Sequence, residues 1–198
     1  MKKIRCALSL IVVSVFSTVT SAQNWDINTL KNINPQNPNS FVMRGLTSSS
    51  YPIGAIVPAT QLITGYATKN LHLQHQAWET VGSLAVSVVM AESFKRIFNR
   101  PRPYEKYPGE IHPYDATETG QSFPSGHTTI AFATATSLSL EYRKWYVVVP
   151  AYAWAVGVGY SRLYLGEHYP TDVLGAAVIG TGSALLSHWL TKKIFKHY

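Results

Sequence analysis

Cysteine and charged residues are both scarce in this sequence. The single cysteine, Cys6, lies within the first 22 residues, so the rest of the chain has no thiol. That absence excludes disulfides and cysteine-ligated metal sites beyond residue 22. Charged residues make up 14% of the 198 residues and hydrophobic residues 46%, whereas about a quarter of the residues in soluble domains are charged. The balance favours a membrane protein or a very apolar helical protein.

Acidic residues are outnumbered by basic ones, 10 to 17, which gives a formal net charge of +7. Three of the basic residues belong to the first 22 residues, which contain no acid. Basic residues do not form a stripe interleaved with aromatics, so we expect no nucleic-acid partner. The modest positive charge suits an anionic substrate or a membrane surface.

The first 22 residues have the composition of a targeting segment. A basic start, "MKKIR", precedes the apolar run "CALSLIVVSVF", and "TSA" before Gln23 is a plausible cleavage site. Residues 1–22 are therefore predicted to be a signal peptide or, if uncleaved, a first membrane segment. Residues 23–44 form a polar N-terminal segment, and residues 45–198 form one helical domain.

Apolar stretches dominate the predicted domain, and none alternates as a half-buried strand does. They cover residues 45–68, 80–91, 128–140, 145–161 and 173–191. Each is long enough for a helix, so the predicted fold is an all-α multi-helix bundle.

The charges between these stretches indicate a membrane topology. Basic residues occur in "MKKIR", at Lys69, in "EYRK" at 141–144 and in "TKKIFKHY" at the end. If five or six helices span the bilayer, these basic pieces all lie on the same side. The positive-inside rule makes that side the cytoplasmic one. The loop 99–124 and the turn 162–169 then lie on the outer side. A soluble bundle is the alternative, because the stretches are rich in small residues that suit close helix packing in either solvent.

Three clusters of chemically useful residues lie on that predicted outer side. They are Lys95 with Arg102; Ser125, Gly126 and His127; and Arg162, His168 and Asp172. Three cations suit a dianionic phosphate, and N–H groups at a helix start bind oxyanions. Of two histidines, one can attack phosphorus while the other protonates the leaving oxygen. Asp172 follows His168 by four residues and is the candidate to orient it.

Each cluster alone has a simpler interpretation, as a helix start, a helix cap, an exposed turn or an arginine that reaches towards the membrane interface. Together they match a spacing. Lys95 is followed after six residues by Arg102-Pro103, then by "PSGH" at 124–127, then by Ser161-Arg162, five residues, His168, three residues and Asp172. Arg100-Pro101 is a second Arg-Pro pair, but only Arg102 fits the six-residue gap.

This spacing resembles the tripartite signature of the type 2 phosphatidic acid phosphatase (PAP2) and haloperoxidase superfamily, in particular its bacterial membrane lipid-phosphatase branch. The resemblance implies a phosphate site and a division of roles. The phosphate-binding residues would be Lys95, Arg102, Ser125, Gly126 and Arg162. His168 would be the nucleophile that forms a phosphohistidine, Asp172 would orient it, and His127 would be the general acid. No metal or other cofactor is implied.

The implied function is hydrolysis of a lipid phosphate or pyrophosphate at the periplasmic face of a bacterial inner membrane. The expected partners are a phosphorylated lipid or small phosphate monoester and the membrane lipids, with no obligate protein partner. A soluble periplasmic acid phosphatase, a vanadium-dependent haloperoxidase and a non-enzymatic anion-binding protein are the alternatives. Substrate identity is not encoded in any motif.

Overall fold

The computed structural model describes residues 24–118 and 120–194, so the predicted targeting segment 1–22 lies outside the described residues. Every regular element in the described part is a helix, which confirms the all-α prediction; an isolated bridge joins Pro108 to Ile111. The helices are α1 (residues 24–33), α2 (Phe41–Ala67), α3 (Leu71–Phe98), the single turn α4 (Pro103–Lys106), α5 (Gly126–Tyr142), α6 (Trp145–Tyr164) and α7 (Pro170–Ile194).

The buried faces of the long helices consist mainly of small and polar residues. Those of α2 recur every three or four positions at Thr47, Ser50, Gly54, Pro58, Gln61 and Gly65. Such faces let helices approach closely. Gly180 of α7 shows how closely, because a Cβ atom there would lie 2.4 Å from the carbonyl oxygen of Thr129 on α5. Any larger residue at this position would push the two helices apart.

Large apolar side chains lie instead on the outer surface of the bundle. Ile63, Val89 and Val178 are between 65% and 73% exposed, and many other aliphatic and aromatic residues accompany them. A water-soluble domain normally has the opposite distribution. By length and composition, one helix of the described part, Pro170–Ile194, qualifies as a membrane span, with a mean hydropathy of 1.4.

The end of the bundle that holds the predicted site is built from helix ends and connecting segments. It combines the end of α3, the loop that contains α4, the start of α5 and the turn between α6 and α7. The N-terminal segment packs on the same end, where Ile27 and Leu30 form a core cluster with Ile111, Leu163 and Tyr169. The domain boundary predicted at residue 45 stays a prediction, although α2 begins at Phe41.

Candidate active site

Two buried arginines converge on one carboxylate oxygen. Arg102 precedes α4 and Arg162 lies in the last turn of α6, and they are 5% and 2% exposed. Arg102 Nη1 and Arg162 Nη2 donate to Oε2 of Glu118 over 2.8 and 2.7 Å. Arg162 Nη1 also donates to Thr47 Oγ1 of α2 over 3.0 Å. Both guanidinium groups are therefore held in place and directed at one point.

Glu118 was not predicted by sequence reasoning, since it lies in a loop without a motif. Burial raises the pKa of its carboxyl, but the charges of Arg162 and Arg102 outweigh burial and hold that pKa below its usual value. The ionised carboxylate thus lies between the two arginines, where the sequence predicts a phosphoryl oxygen. Nε of Arg162 is buried and has no hydrogen-bond partner among the described residues. It is a spare donor beside the same point.

Glu167 is a second acid that the motif spacing did not single out. Its Oε2 accepts from Arg102 Nη1 over 3.0 Å, and its Oε1 accepts from the backbone N–H of Asp115 over 3.2 Å. The side chain is 1% exposed. It therefore fixes Arg102 from the side of the α6–α7 turn. The sequence did offer one signal for Glu167, because it is a charged residue directly before the predicted nucleophile in "GEH".

His168 lies in the α6–α7 turn and is 2% exposed. Its Nδ1 is 2.8 Å from the carbonyl oxygen of Ser122 and 3.6 Å from Oδ2 of Asp172. Both of these groups are acceptors, so Nδ1 carries the proton and donates to Ser122, which leaves the lone pair on Nε2. Burial, assisted by the charge of Arg162, lowers the pKa of His168 to about 4 even though Asp172 opposes the shift. The imidazole is therefore neutral at pH 7, as a nucleophile requires.

Asp172 occupies the first turn of α7 and is fully buried. It accepts from Arg100 Nη1 over 2.5 Å, from the hydroxyl of Ser122 and from the backbone N–H of Tyr169 over 2.9 Å. The structure thus places Asp172 beside His168, with the carbonyl of Ser122 as the nearer acceptor. Sequence reasoning missed Ser122, because a backbone carbonyl has no residue-type signal.

A glycine makes the turn before His168 possible. Gly166 has a φ of +74°, and a Cβ there would lie 2.5 Å from the carbonyl oxygen of His112. Asn34 clamps the same place, since its amide nitrogen donates to the carbonyls of His112 and Tyr164, each over 2.9 Å. The N-terminal segment therefore holds the turn that carries the predicted nucleophile.

The second cluster forms the start of α5, as its sequence predicted. Ser125 precedes the helix, and within the described residues no side chain caps the N–H groups of the first turn. The hydroxyl of Ser125 accepts from Thr128 Oγ1 over 3.0 Å, and its N–H donates to the carbonyl of Asp172 over 3.3 Å. The free N–H groups suit an oxyanion.

His127 lies in that first turn and packs edge-on against Tyr51 of α2, with ring centroids 4.7 Å apart. Burial lowers the pKa of His127 to about 3; the charges of Arg162 and Arg102 add to the shift and that of Glu118 opposes it, so His127 belongs to the same cluster. Tyr51 also limits position 126, where a Cβ would lie 3.1 Å from its hydroxyl. Nothing in the sequence links Tyr51 to "PSGH".

Lys95 lies beside the start of α5 and does not share the acceptor of the two arginines. It lies in the last turn of α3, where its Nζ is 3.5 Å from Glu92 Oε1. With Tyr51 and Gly126 it lines a cavity of about 80 Å³ beside the start of α5. Within residues 24–118 and 120–194, no group of three or more histidine and acidic side chains could hold a metal ion.

Comparison with known proteins gives the family of the chain. The family profile described as "PAP2 superfamily" matches residues 76–196. An undecaprenyl-diphosphatase from Sulfolobus acidocaldarius is 31% identical over 105 residues, which cover 53% of this chain and 50% of the relative. The aligned part thus spans about half the length of that relative.

Two crystal structures share the fold. LpxE of Aquifex aeolicus matches with a TM-score of 0.65 and 26% identity over 83% of this chain and 95% of that one. A transmembrane PAP2 type phosphatidylglycerolphosphate phosphatase from Bacillus subtilis matches with a TM-score of 0.66 and 24% identity over 91% of this chain and 90% of that one. The second likeness shows the fold alone. From the profile match over most of the domain and from the arrangement of all three motifs, the chain belongs to the PAP2 superfamily.

Proposed function

We propose that this protein is a phosphatase that hydrolyses a phosphate monoester, in the first place a lipid phosphate or pyrophosphate, through a phosphohistidine at His168. The observation that carries the proposal is the convergence of Arg102 and Arg162 on one anionic oxygen beside a buried, neutral imidazole. Paired guanidinium groups recognise phosphate oxygens. The uncapped start of α5 adds backbone donors.

In the first step, the Nε2 lone pair of His168 attacks phosphorus and the bond from phosphorus to the leaving oxygen breaks. His127 takes up a proton when the negative charge of the bound phosphate raises its pKa. As imidazolium it gives that proton to the leaving oxygen, so the alcohol leaves neutral. Negative charge on the equatorial oxygens is stabilised by Arg102 and Arg162. Nδ1 of His168 keeps its proton and donates a hydrogen bond to the carbonyl of Ser122, and Asp172 stabilises the charge that develops on the ring.

In the second step, water attacks the phosphohistidine and the N–P bond breaks. The neutral His127 takes one proton from that water and returns to the imidazolium form. Inorganic phosphate leaves and the electron pair returns to Nε2 of His168. The cycle balances without a metal or a redox partner.

Substrate binding requires Glu118 to leave the two arginines. His168, Arg102 and Arg162 are each at most 5% exposed while the carboxylate is in place. A phosphate dianion offers the arginines more charge and more acceptor atoms than a carboxylate does. The incoming phosphate therefore replaces Glu118 rather than binding beside it.

A membrane location is the second part of the proposal. Five or six helices, counting residues 1–22 if uncleaved, span a bacterial inner membrane, and the active site faces the periplasm. The apolar outer surface, the polar buried faces and the basic residues at the opposite end support this. The solved transmembrane relative from Bacillus subtilis shares the fold.

The test measures phosphate release from a panel of lipid phosphates and pyrophosphates beside a soluble chromogenic monoester. We expect release from at least one lipid substrate at a kcat/KM well above that of the soluble monoester. Release from the soluble monoester alone favours the soluble acid phosphatase, and no release from any substrate contradicts the phosphatase. Alkaline carbonate washing tests the location, since a membrane-spanning bundle stays in the pellet and a soluble protein is released.

A further inference from the structure

A buried acid of the N-terminal segment is tied to the active site. Asp26 of α1 is 2% exposed and lies outside every motif. Its Oδ2 accepts from Arg100 Nη2 and from Thr171 Oγ1, each over 2.6 Å, and its Oδ1 accepts from the N–H of Thr171 over 2.9 Å. Thr171 directly precedes Asp172. Asp26 thus holds the first turn of α7, which contains Asp172.

Arg100 connects this acid to the next one. While Nη2 bonds to Asp26, Nη1 donates to Oδ1 of Asp172 over 2.5 Å. The guanidinium carbon also lies 3.8 Å from the centroid of the Tyr169 ring, which fixes its plane. Arg100 therefore bridges two buried carboxylates through the two terminal nitrogens of its guanidinium group, a geometry that lysine cannot reproduce.

The bridge ends at the predicted nucleophile. Arg100 uses Oδ1 of Asp172, and the other oxygen, Oδ2, accepts from Ser122 Oγ and lies 3.6 Å from Nδ1 of His168. Ser122 in turn accepts from His168 through its carbonyl. A continuous chain of contacts therefore runs from Asp26 through Arg100 and Asp172 to His168.

We propose that Asp26 and Arg100 are positioning residues of the phosphatase reaction, an inference that rests on the function proposed above. Arg100 orients Asp172. Asp26 neutralises part of the positive charge of Arg100. The negative charge of Asp172 therefore remains available to stabilise positive charge on His168. Without Asp26, the guanidinium would neutralise Asp172 alone, and the imidazolium-like charge that develops on attack would lose stabilisation. The segment before the motifs is then part of the catalytic apparatus.

The charges of Asp26 and Arg100 should each shift the pKa of His168. The charged and titratable groups around His168 are Asp172 on α7, Arg162 on α6, His127 on α5, Arg102 before α4, and Glu167 in its own turn. Asp26→Asn removes a negative charge from the far end of the chain of contacts, and Arg100→Gln removes a positive one. A nearby negative charge favours imidazolium. The first change therefore lowers the pKa of His168 and the second raises it.

The experiment compares kcat, KM and the pH profile of kcat/KM for the wild type, Asp26→Asn, Arg100→Gln and the double variant. The acid limb of that profile is the low-pH range over which kcat/KM falls as His168 is protonated. In the wild type we expect the limb near pH 4, because burial lowers the pKa of His168 to about 4. We expect each single variant to lose about tenfold in kcat with little change in KM. The limb moves by about half a pH unit to lower pH in Asp26→Asn and to higher pH in Arg100→Gln. In the double variant it returns close to the wild-type position.

Glu110→Gln is the matched control. Glu110 pairs with Lys31, so it also ties the N-terminal segment to the loop, but both side chains are well exposed and neither contacts Asp172. We expect wild-type kcat and an unchanged acid limb. An equal loss of kcat in this control overturns the inference, because it means that attachment of the segment, rather than the bridge, supports activity.

Arg100→Lys keeps the experiment decisive if Asp26→Asn does not fold. It retains the charge but loses the fork, so we expect a loss in kcat with an unchanged acid limb. Wild-type kcat in Arg100→Lys, or limbs that move in the same direction in both single variants, overturns the inference. Absence of phosphate release from the wild type contradicts the proposed function instead, so the two failures are distinguishable.

Discussion

Acids, histidines and cations occur together at both ends of the bundle, but the two ends use them differently. At the end away from the site, a cavity of about 470 Å³ lies between the start of α3 and the ends of α5 and α7. It is lined by Glu79, Glu141, His188, Arg143 and Lys192 among others. Composition alone would make this cavity a rival active site.

Its acids are satisfied by their neighbours. Oε1 of Glu79 lies 2.6 Å from Nδ1 of His188, and Glu141 accepts from Thr80 Oγ1 and Gln61 Nε2, each over 2.6 Å. Arg143 and Lys192 are exposed at the rim. Buried polar groups need partners, and these contacts join α2, α3, α5 and α7. The polar residues at this end serve helix packing.

At the site end, two buried guanidinium groups share one removable anion, and His168 keeps one nitrogen for a substrate. The two ends show that reactivity depends less on how many polar residues are buried than on whether several of them point at one exchangeable position. Three pairs of matched variants test this comparison.

The largest contrast is expected between His168→Ala and His188→Ala. We expect loss of the proposed nucleophile to lower kcat at least about a thousandfold, because the covalent step would have no substitute. His188 pairs with Glu79 in the distant cavity, so its loss affects stability and leaves kcat within about twofold. Steady-state phosphate release and thermal unfolding of both variants check the contrast. Substantial activity in His168→Ala contradicts the nucleophile assignment.

The next contrast is between Arg162→Lys and Arg143→Lys. Lysine keeps the charge but not the fork, and the loss of a positioned donor to the transition state costs about a hundredfold in kcat/KM. Arg143 lies at the exposed rim of the other cavity, and its replacement leaves kcat/KM unchanged. Equal effects of the two substitutions would mean that only net charge matters.

The smallest contrast is between Glu118→Gln and Glu79→Gln. A neutral amide holds the two arginines less tightly than a carboxylate does, so phosphate displaces it more easily. We expect KM and the inhibition constants of phosphate and vanadate to fall by about three- to tenfold in Glu118→Gln. Glu79→Gln leaves these constants unchanged. Weaker phosphate inhibition in Glu118→Gln is incompatible with displacement of Glu118 by the substrate.

Much of the candidate site could be predicted from local sequence. Ser125 starts α5 because proline and small polar residues suit the position before a helix, and Pro170 begins α7 two residues before Asp172. Runs of apolar residues without alternation predicted the helices. These features depend on neighbours within a few residues, which the sequence displays directly.

Contacts between distant parts of the chain could not be predicted in this way. Glu118 meets Arg162 across 44 residues, and Asp26 meets Arg100 across 74. Ser122 contributes a carbonyl that every residue possesses. Such partners follow from how the helices and the loop pack, since no local preference selects one acid over another.

By itself, the sequence determined the helical class, the family and the residues that suit phosphate chemistry, because motif spacing and residue type encode them. Only the tertiary structure decided that Arg102 and Arg162 share Glu118, that Nδ1 of His168 faces Ser122 and Asp172, and that Asp26 holds Arg100 against Asp172. The physical reason is that a buried charge is stabilised by whichever partner packing brings within about 3 Å, and packing joins residues that are far apart in the chain.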